Sequence, residues 1–303
     1  MSVIAVIDVG TNSTNLLVTD GVVDLDRVIS VTRLGEGLHA SGVLSPAAME
    51  RTVAMIGSHA DRARGLGATE ILVAGTAACR RARNTAEFAD LVRARTGLEL
   101  TVVPADTEAS LAFTGALRGL PAVPGNTLVV DIGGGSTELT VGVDEPWRTA
   151  SIPVGAVTAT ESDLTTDPPR PADLTNVIGA VQDDLEEIGR LHPEMLSAQR
   201  VVGVAGTVVT VAAVEIGLAE FDDSKLHGFV LTRDAAEDVF RTLATEPIAQ
   251  RRRNPGLPAD RADVIVAGCC ILVGVMRRLG LDEITVSTRS LMDGAALRGR
   301  LSP

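Results

Sequence analysis

Apolar runs with strand-like spacing open each half of the chain, and segments with helical periodicity follow them. The strand-like runs cover residues 3–8, 14–20 and 27–34 in the first half and residues 128–131, 137–143 and 147–152 in the second. The longest helical patterns cover residues 46–65, 85–95, 172–191, 259–279 and 291–301. Three strands followed by alternating helices and strands, present twice, predict a duplicated α/β fold.

Two glycine turns, one in each half, repeat the same pattern of polar residues. Residues 8–18 and 131–141 are identical at six of eleven positions and lie 123 residues apart. This spacing is too long for a solenoid repeat and indicates two related halves. Glycine-rich turns direct backbone N–H groups into one small concavity, which binds phosphate without a lysine. The predicted phosphate ligands are Gly10, Thr11, Asn12 and Ser13 in the first turn and Gly133, Gly134, Gly135 and Ser136 in the second.

Two carboxylates flank the second turn. Asp131 precedes it and Glu138 follows it, and in a phosphate site such carboxylates hold a hard divalent cation. The position equivalent to Glu138 in the first half is Asn15, so the sequence predicts an asymmetric metal site on a symmetric scaffold. Two alternatives stay open: an ordinary β-hairpin with a glycine bulge, and an Asp8 that stabilises only its own turn.

The duplication also predicts the domain organisation. Two halves that each present a phosphate turn imply a cleft between two domains, with the substrate across it. Residues 121–125 contain two prolines and a glycine, which is typical of a break between domains. We therefore assign residues 1–124 and 125–303 to the two domains. One alternative stays open: the last helix, at about residues 290–303, packs back on the first domain.

Charged residues follow two of the predicted strands of the first half, where open α/β sheets place their ligands. Arg80, with Arg81 and Arg83, follows one strand, and Glu108 follows the next. The alternative for the arginines is a solvated basic helix start. The alternative for Glu108 is a favourable interaction with a helix dipole.

Gly206 and Thr207 lie where a strand of the second half passes into a helix. A helix start of this kind is typical of a phosphate seat. The alternative is simple packing of the helix on the strand.

Composition limits the classes of function. The chain of 303 residues is 45% hydrophobic but only 2% aromatic, and its net charge is −12. Aromatic platforms for single-stranded nucleic acid are therefore largely absent, and the charge argues against nucleic acid or an anionic membrane as a partner. A polyanionic substrate would need a local basic track, for which the candidates are residues 80–83 and Arg251, Arg252 and Arg253.

The three cysteines have no metal-ligand spacing, and the adjacent Cys269 and Cys270 lie in an apolar run that predicts helix core. A disulfide framework is not expected, so the default compartment is the cytoplasm. Residues 1–7 lack the basic start and the cleavage site of a signal peptide. The sequence has no apolar run long enough to span a membrane.

The two glycine turns, the charged residues that follow the strands of the first half and the helix start at Gly206 and Thr207 together resemble a known family. It is the exopolyphosphatase / guanosine pentaphosphate phosphatase (Ppx/GppA) family, within the superfamily of actin, heat-shock chaperone ATPases and sugar kinases. The resemblance implies two ribonuclease-H-like (actin-like) domains and covers essentially the whole chain. One departure is Met292, where the family tends to have arginine. The motifs that carry the resemblance, in the family's order, are residues 8–13, 33–38, 76–84, 108–109, 131–138, 153–157, 204–207, 227–228, 255–263 and 286–287.

The resemblance implies hydrolysis of a terminal phosphoryl group. Asp131 and Glu138 would hold Mg²⁺, with Mn²⁺ as the alternative, Glu108 would orient or deprotonate the attacking water, and Arg80 would neutralise the transferred group. The expected substrate is inorganic polyphosphate of short or medium length. The alternatives are guanosine pentaphosphate (pppGpp) and, in another class, a non-hydrolytic sensor of phosphate or nucleotide. Relatives of this kind also make a homodimer the expected assembly.

Overall fold

The computed structural model of the chain describes residues 2–301. The chain folds into two compact units. One comprises the described residues up to Gly115 together with those from Leu291 onward, and the other comprises Ala116–Ser290. The predicted boundary after residue 124 differs from this division, and the last helix is grouped with the N-terminal unit.

The described residues form eleven strands, thirteen helices and one short 3-10 turn at Pro193–Leu196. The strands are β1 Val3–Val9, β2 Ser13–Thr19, β3 Asp24–Val31, β4 Ala68–Gly75, β5 Leu100–Val102, β6 Thr127–Ile132, β7 Thr137–Gly142, β8 Pro146–Ile152, β9 Arg200–Val204, β10 Val230–Thr232 and β11 Glu283–Val286. The helices are α1 Leu38–Ser41, α2 Pro46–Gly65, α3 Ala77–Arg81, α4 Thr85–Thr96, α5 Ala105–Ala116, α6 Ala156–Ser162, α7 Pro171–Leu191, α8 Ala205–Glu215, α9 Asp223–Leu226, α10 Arg233–Thr245, α11 Ile248–Arg251, α12 Ile265–Arg278 and α13 Leu291–Arg298.

The two sheets have the same strand order in their shared part. The first sheet runs β3-β2-β1-β4-β5, and the second runs β8-β7-β6-β9-β11 with β10 added at the edge. In the shared part of both sheets, the first three strands are antiparallel and the later ones are parallel to the first, whereas the added β10 pairs antiparallel with β11. The predicted α/β fold with two duplicated units is thus confirmed, since both units contain a mixed sheet with the same strand order.

Helices cover both faces of the first sheet. Ile7 and Leu16 point to the face covered by α2, whose Val53 and Ile56 are buried there. Strand residues that alternate with these point to the other face, because successive side chains of a strand project to opposite sides. On that face Val6 packs with residues of α5 and α13. The start of α2 follows its sequence signal, since Ser45 accepts a hydrogen bond from the N–H of Ala48 at 3.2 Å and Pro46 is the first helical residue.

In the second unit, α12 is the central buried helix and packs against α7 and α10. It begins at Ile265 and not at residue 259 as predicted. Gly256 has a positive φ of 82°, and turns at Leu257 and Arg261 precede the helix, so the chain is not yet helical there. Strand β10 was not predicted, because three residues are too few to show a strand pattern.

Candidate functional site

The first glycine turn connects β1 to β2 and closes with a hydrogen bond from the N–H of Gly10 to the carbonyl oxygen of Ser13, at 2.9 Å. The carbonyl of Thr11 accepts from the N–H of Gly35 at 2.9 Å, and the carbonyl of Asn12 accepts from Arg33 at 2.8 Å. Because C=O and N–H point in opposite directions across a trans peptide, the N–H groups of Asn12 and Ser13 face away from this supporting segment. The side chains of Thr11 and Asn12 are themselves buried. The first turn therefore offers backbone donors to an anion.

The second glycine turn connects β6 to β7 and repeats this closure, with Gly133 N–H donating to the Ser136 carbonyl at 3.0 Å. Its carbonyls face the start of α6: Gly133 accepts from Ala156 at 2.9 Å and Gly134 accepts from Val157 at 2.8 Å. The N–H groups of Gly134 and Gly135 consequently point away from α6.

Gly155 explains how the second turn lies so close to α6. A Cβ atom at Gly155 would lie 2.5 Å from the carbonyl oxygen of Gly134 and 2.6 Å from the nitrogen of Gly135. The turn and the helix start thus meet backbone to backbone. Any side chain at position 155 would displace the turn.

The sheet register brings the predicted metal ligands together. Asp131 on β6 stands directly opposite Glu138 on β7, as Asp8 on β1 stands opposite Asn15 on β2. Directly opposed residues of an antiparallel pair project to the same side of the sheet, with Cβ atoms about 5 Å apart. Glu138 is buried and its Oε1 accepts hydrogen bonds from Ser136 at 2.6 Å and from Ser151 at 3.3 Å.

This geometry refines the role predicted for Ser136. Its hydroxyl donates to Glu138, so its proton is directed at the carboxylate. Ser136 and Ser151 together orient one oxygen of Glu138. The oriented Glu138 and the opposed Asp131 form a pair of carboxylates that suits Mg²⁺, which keeps several of its waters and takes few protein ligands. Among the described residues, no group of three or more His, Cys, Asp or Glu side chains converges as a larger metal cluster.

Arg80 and Glu108 form an ion pair in the first unit. Nη1 of Arg80, in α3, donates to Glu108 Oε2 and also to the carbonyl of Val103 at 3.0 Å. Glu108 lies in the first turn of α5 and only 17% of its side chain is exposed. Burial raises the pKa of Glu108, and the charge and hydrogen bond of Arg80 oppose that rise. The two residues predicted to be catalytic are therefore in direct contact.

Asp8 belongs to the same group of charges. Burial, and then the negative charge of Glu108, raise the pKa of Asp8 to about 7. Its Oδ1 is buried without a hydrogen-bond partner among the described residues. An oxygen of this kind is an open acceptor for a cation or a proton. The sequence carries a signal for Asp8, since it is the counterpart of Asp131, but Asp8 was not among the predicted site residues.

Gly206 and Thr207 lie in the first turn of α8. A Cβ atom at Gly206 would collide with the guanidinium of Arg261, which therefore rests on this glycine. Burial lowers the pKa of Arg261 below its ordinary value. Thr207 is buried and packs against Gly268 of α12, so its side chain faces the core. Ala205, the residue before Gly206, has a positive φ of 65° that L-residues rarely adopt.

The structure removes Arg251 from the basic track predicted at Arg251, Arg252 and Arg253, whereas the other two arginines are exposed. Arg251 is only 3% exposed and its guanidinium donates to the carbonyls of Leu243, Glu246 and Ala262 at 2.7–2.8 Å. It holds these turns together and cannot serve a surface track for a polyanion. Arg83, in contrast, is exposed and donates to the carbonyl of Ser41 at 2.9 Å.

Across residues 2–301, no helix has the length and apolar character that crossing a bilayer requires. The three cysteines are unpaired and buried.

Comparisons with known proteins agree with one another. The model of the Ppx/GppA phosphatase family matches residues 5–301. "Exopolyphosphatase 2" of Mycobacterium tuberculosis is 32% identical over 314 residues, covering 97% of each chain. "Exopolyphosphatase 1" of Mycobacterium bovis is 28% identical, covering 97% of this chain and 87% of that one.

Solved structures extend the similarity to three dimensions. An exopolyphosphatase from Cytophaga hutchinsonii superposes with a TM-score of 0.91 at 25% identity, covering 100% of both chains. The Ppx/GppA family member from Aquifex aeolicus gives a TM-score of 0.81 at 28% identity, covering 98% of this chain and 97% of that one. The chain belongs to the Ppx/GppA phosphatase family.

Proposed function

We propose that the protein is an exopolyphosphatase, which releases the terminal phosphoryl group of inorganic polyphosphate as orthophosphate. Water attacks the terminal phosphorus, the bridging P–O bond breaks, and the remaining chain leaves one phosphate shorter. The observation that carries the proposal is the Arg80–Glu108 pair, which joins a largely buried carboxylate to a guanidinium at the end of two parallel strands. The relatives named as exopolyphosphatases support this choice of reaction.

Glu108 would take the proton of the attacking water. A general base must be ionised and close to the proton that it removes. Burial raises the pKa of Glu108, which makes its carboxylate a stronger base, and the charge and hydrogen bond of Arg80 oppose that rise. When a phosphoryl group binds, its oxygens compete with Glu108 for Arg80, whose planar fork suits phosphate. Substrate binding would therefore release the base that the reaction needs.

The glycine turns would bind phosphate oxygens. In both turns the carbonyls are bonded to supporting segments, which leaves the opposite N–H groups directed away from those segments. Fixed amide donors stabilise the charge that phosphoryl transfer places on the equatorial oxygens, because they need no reorganisation when that charge develops.

Mg²⁺ is the cofactor that we propose, held by Asp131 and Glu138, with Mn²⁺ as the alternative. A divalent cation would supply charge neutralisation on the transferred phosphoryl group. The opposed positions of these two carboxylates and the two serine donors on Glu138 support the assignment. Unpaired buried cysteines support a reducing compartment, for which we propose the cytoplasm.

The decisive experiment measures orthophosphate release from polyphosphates of defined length and from pppGpp, with Mg²⁺, with Mn²⁺ and with EDTA. We expect metal-dependent release from polyphosphate, fastest with short or medium chains, and no turnover by Glu108→Gln. If orthophosphate is released preferentially from pppGpp, the nucleotide and not polyphosphate is the substrate. Binding of polyphosphate without any release under every metal condition would favour a sensor.

A further inference from the structure

Helix α13 approaches α5 so closely at Gly294 that no side chain fits between them. A Cβ atom at Gly294 would lie 2.0 Å from the carbonyl oxygen of Leu111 and 3.0 Å from its α-carbon. Leu111 follows Glu108 by one turn of α5. The backbone of the helix that carries Glu108 is therefore in direct contact with the backbone of α13.

Polar contacts reinforce this approach along α5. Arg298, at the end of α13, donates to the hydroxyls of Ser110 and Thr114, both at 3.1 Å. These two residues lie one turn apart on α5 and flank Leu111 in sequence. Leu111 is fully buried, in one apolar cluster with Val103, whose carbonyl accepts from Arg80, and with Leu291, Met292 and Ala295 of α13.

The other side of α13 is attached to the sheet. Asp293 is fully buried and accepts two hydrogen bonds from the guanidinium of Arg27 on β3, at 2.5 and 3.2 Å. A buried two-point ion pair of this kind fixes both position and orientation. Because Asp293 and Gly294 are adjacent, the helix is anchored to the sheet at the same level at which it touches α5.

We infer that Gly294 is a positioning residue for Glu108. Helix α13, attached to the sheet through Asp293 and Arg27, sets how far α5 lies from the sheet and so where Glu108 meets Arg80. Glycine is required at position 294 because a methyl group there would push α5 away from α13. The catalytic part of this inference rests on the proposed function, whereas its geometric part does not.

The test compares Gly294→Ala with Gly57→Ala. Gly57 lies in the middle of α2 in the same unit, and a Cβ atom there would meet only Thr96 Cγ2, at an ordinary 3.8 Å. We expect Gly294→Ala to lower kcat for polyphosphate about 10²-fold, since a displacement of about 1 Å has that effect, with KM nearly unchanged. The acid limb of its pH profile should also move, because the Arg80–Glu108 contact changes. Gly57→Ala should match the wild type in all three quantities.

A crystal structure of Gly294→Ala provides a second readout that does not depend on activity. We expect the first turn of α5 to be displaced and the Arg80–Glu108 contact to be altered. An unchanged Arg80–Glu108 contact in this crystal structure would overturn the inference, whether or not the wild type is active on polyphosphate. Inactivity of the wild type on polyphosphate would by itself refute only the proposed function. With an active wild type, a folded Gly294→Ala that keeps both kcat and pH profile would also overturn it.

Arg298→Gln serves if Gly294→Ala does not fold. It removes the donors to Ser110 and Thr114 and leaves the close contact at Gly294 in place. We expect a decrease in kcat of about threefold or more at constant KM. A kcat equal to that of the wild type would count against a positioning role for α13.

Discussion

The guanidinium of Arg80 is bonded to the carboxylate of Glu108 and, through the same nitrogen, to the carbonyl oxygen of Val103. This contact connects α3 to the start of α5. It also sets the ionisation of Glu108, since burial raises the pKa of the carboxyl and the neighbouring positive charge lowers it. The properties of the proposed base therefore depend on one arginine.

Arg80→Gln should shift the pH dependence of activity. Without the guanidinium, burial acts on Glu108 unopposed, so its pKa rises further and the acid limb of kcat/KM should move to higher pH. The rate at the optimum should fall about 10²-fold, because a donor to the transferred phosphoryl group is lost. The measurement is a pH–rate profile of phosphate release, with Arg95→Gln as a surface control. An acid limb that stays in place would contradict the coupling.

Ser151→Ala should weaken Mg²⁺ binding without touching a phosphate turn. Ser151 lies on β8 and donates to Glu138 Oε1 at 3.3 Å. Loss of a partner that orients a metal ligand typically costs about tenfold in metal affinity. Calorimetry with Mg²⁺ and the Mg²⁺ concentration for half-maximal activity both measure the effect. Ser162→Ala, whose hydroxyl is bonded within and just after α6, is the control; equal Mg²⁺ affinity in both variants would argue against Glu138 as a ligand.

Asp8→Asn should change the pH dependence of stability in metal-free buffer. The pKa of Asp8 is raised to about 7 in the folded chain, so between about pH 4 and pH 7 the folded state binds more protons than the unfolded state. Stability should consequently fall as the pH rises through this window, by up to about 1.4 kcal/mol per unit. The Asn variant should lack this slope and be more stable at pH 8.

Denaturant unfolding at several pH values measures this difference. Asp106→Asn is the control, since Asp106 is an exposed carboxylate in the first turn of α5 and should leave the slope in place. If the stability of the wild type varies between pH 4 and pH 7 no more than that of Asp8→Asn, burial does not raise the pKa of Asp8.

Arg251→Ala should destabilise the second unit. The change leaves three carbonyl oxygens without their donor, two of them in buried hydrogen bonds, and we expect a loss of about 3 kcal/mol in the free energy of unfolding. Arg252→Ala, at an exposed neighbouring position, should change stability by less than about 0.5 kcal/mol. Denaturant unfolding distinguishes the two. A loss of polyphosphate affinity by Arg251→Ala at full stability would return Arg251 to the basic track from which its burial removes it.

Local features of the site followed from the sequence. Turn geometry and register over a few residues determine the duplicated turns and the strand pairs on either side of them. They also place Asn15 where the second half has a second carboxylate. Register is determined by short-range alternation of side chains, so the opposition of Asp131 and Glu138 was already implied by their spacing around the turn. The same holds for the start of α2 at Ser45 and Pro46.

Burial and long-range contact were decided by the tertiary structure. Arg251 and Arg252 are adjacent and alike in sequence, yet one is enclosed by three carbonyls and the other is exposed. The raised pKa of Asp8 likewise comes from its surroundings, chiefly from burial and from Glu108, a residue far away along the chain.

The sequence by itself determined two duplicated α/β units, two glycine turns and one pair of opposed carboxylates, because these depend on periodicity and on turns. Only the tertiary structure decided that α13 is grouped with the N-terminal unit and touches α5 at Gly294. The physical reason is that a helix records in its sequence which of its faces is apolar but not which surface will cover that face. Gly294 and Leu111 meet because distant segments fold together, and no local pattern encodes that distance.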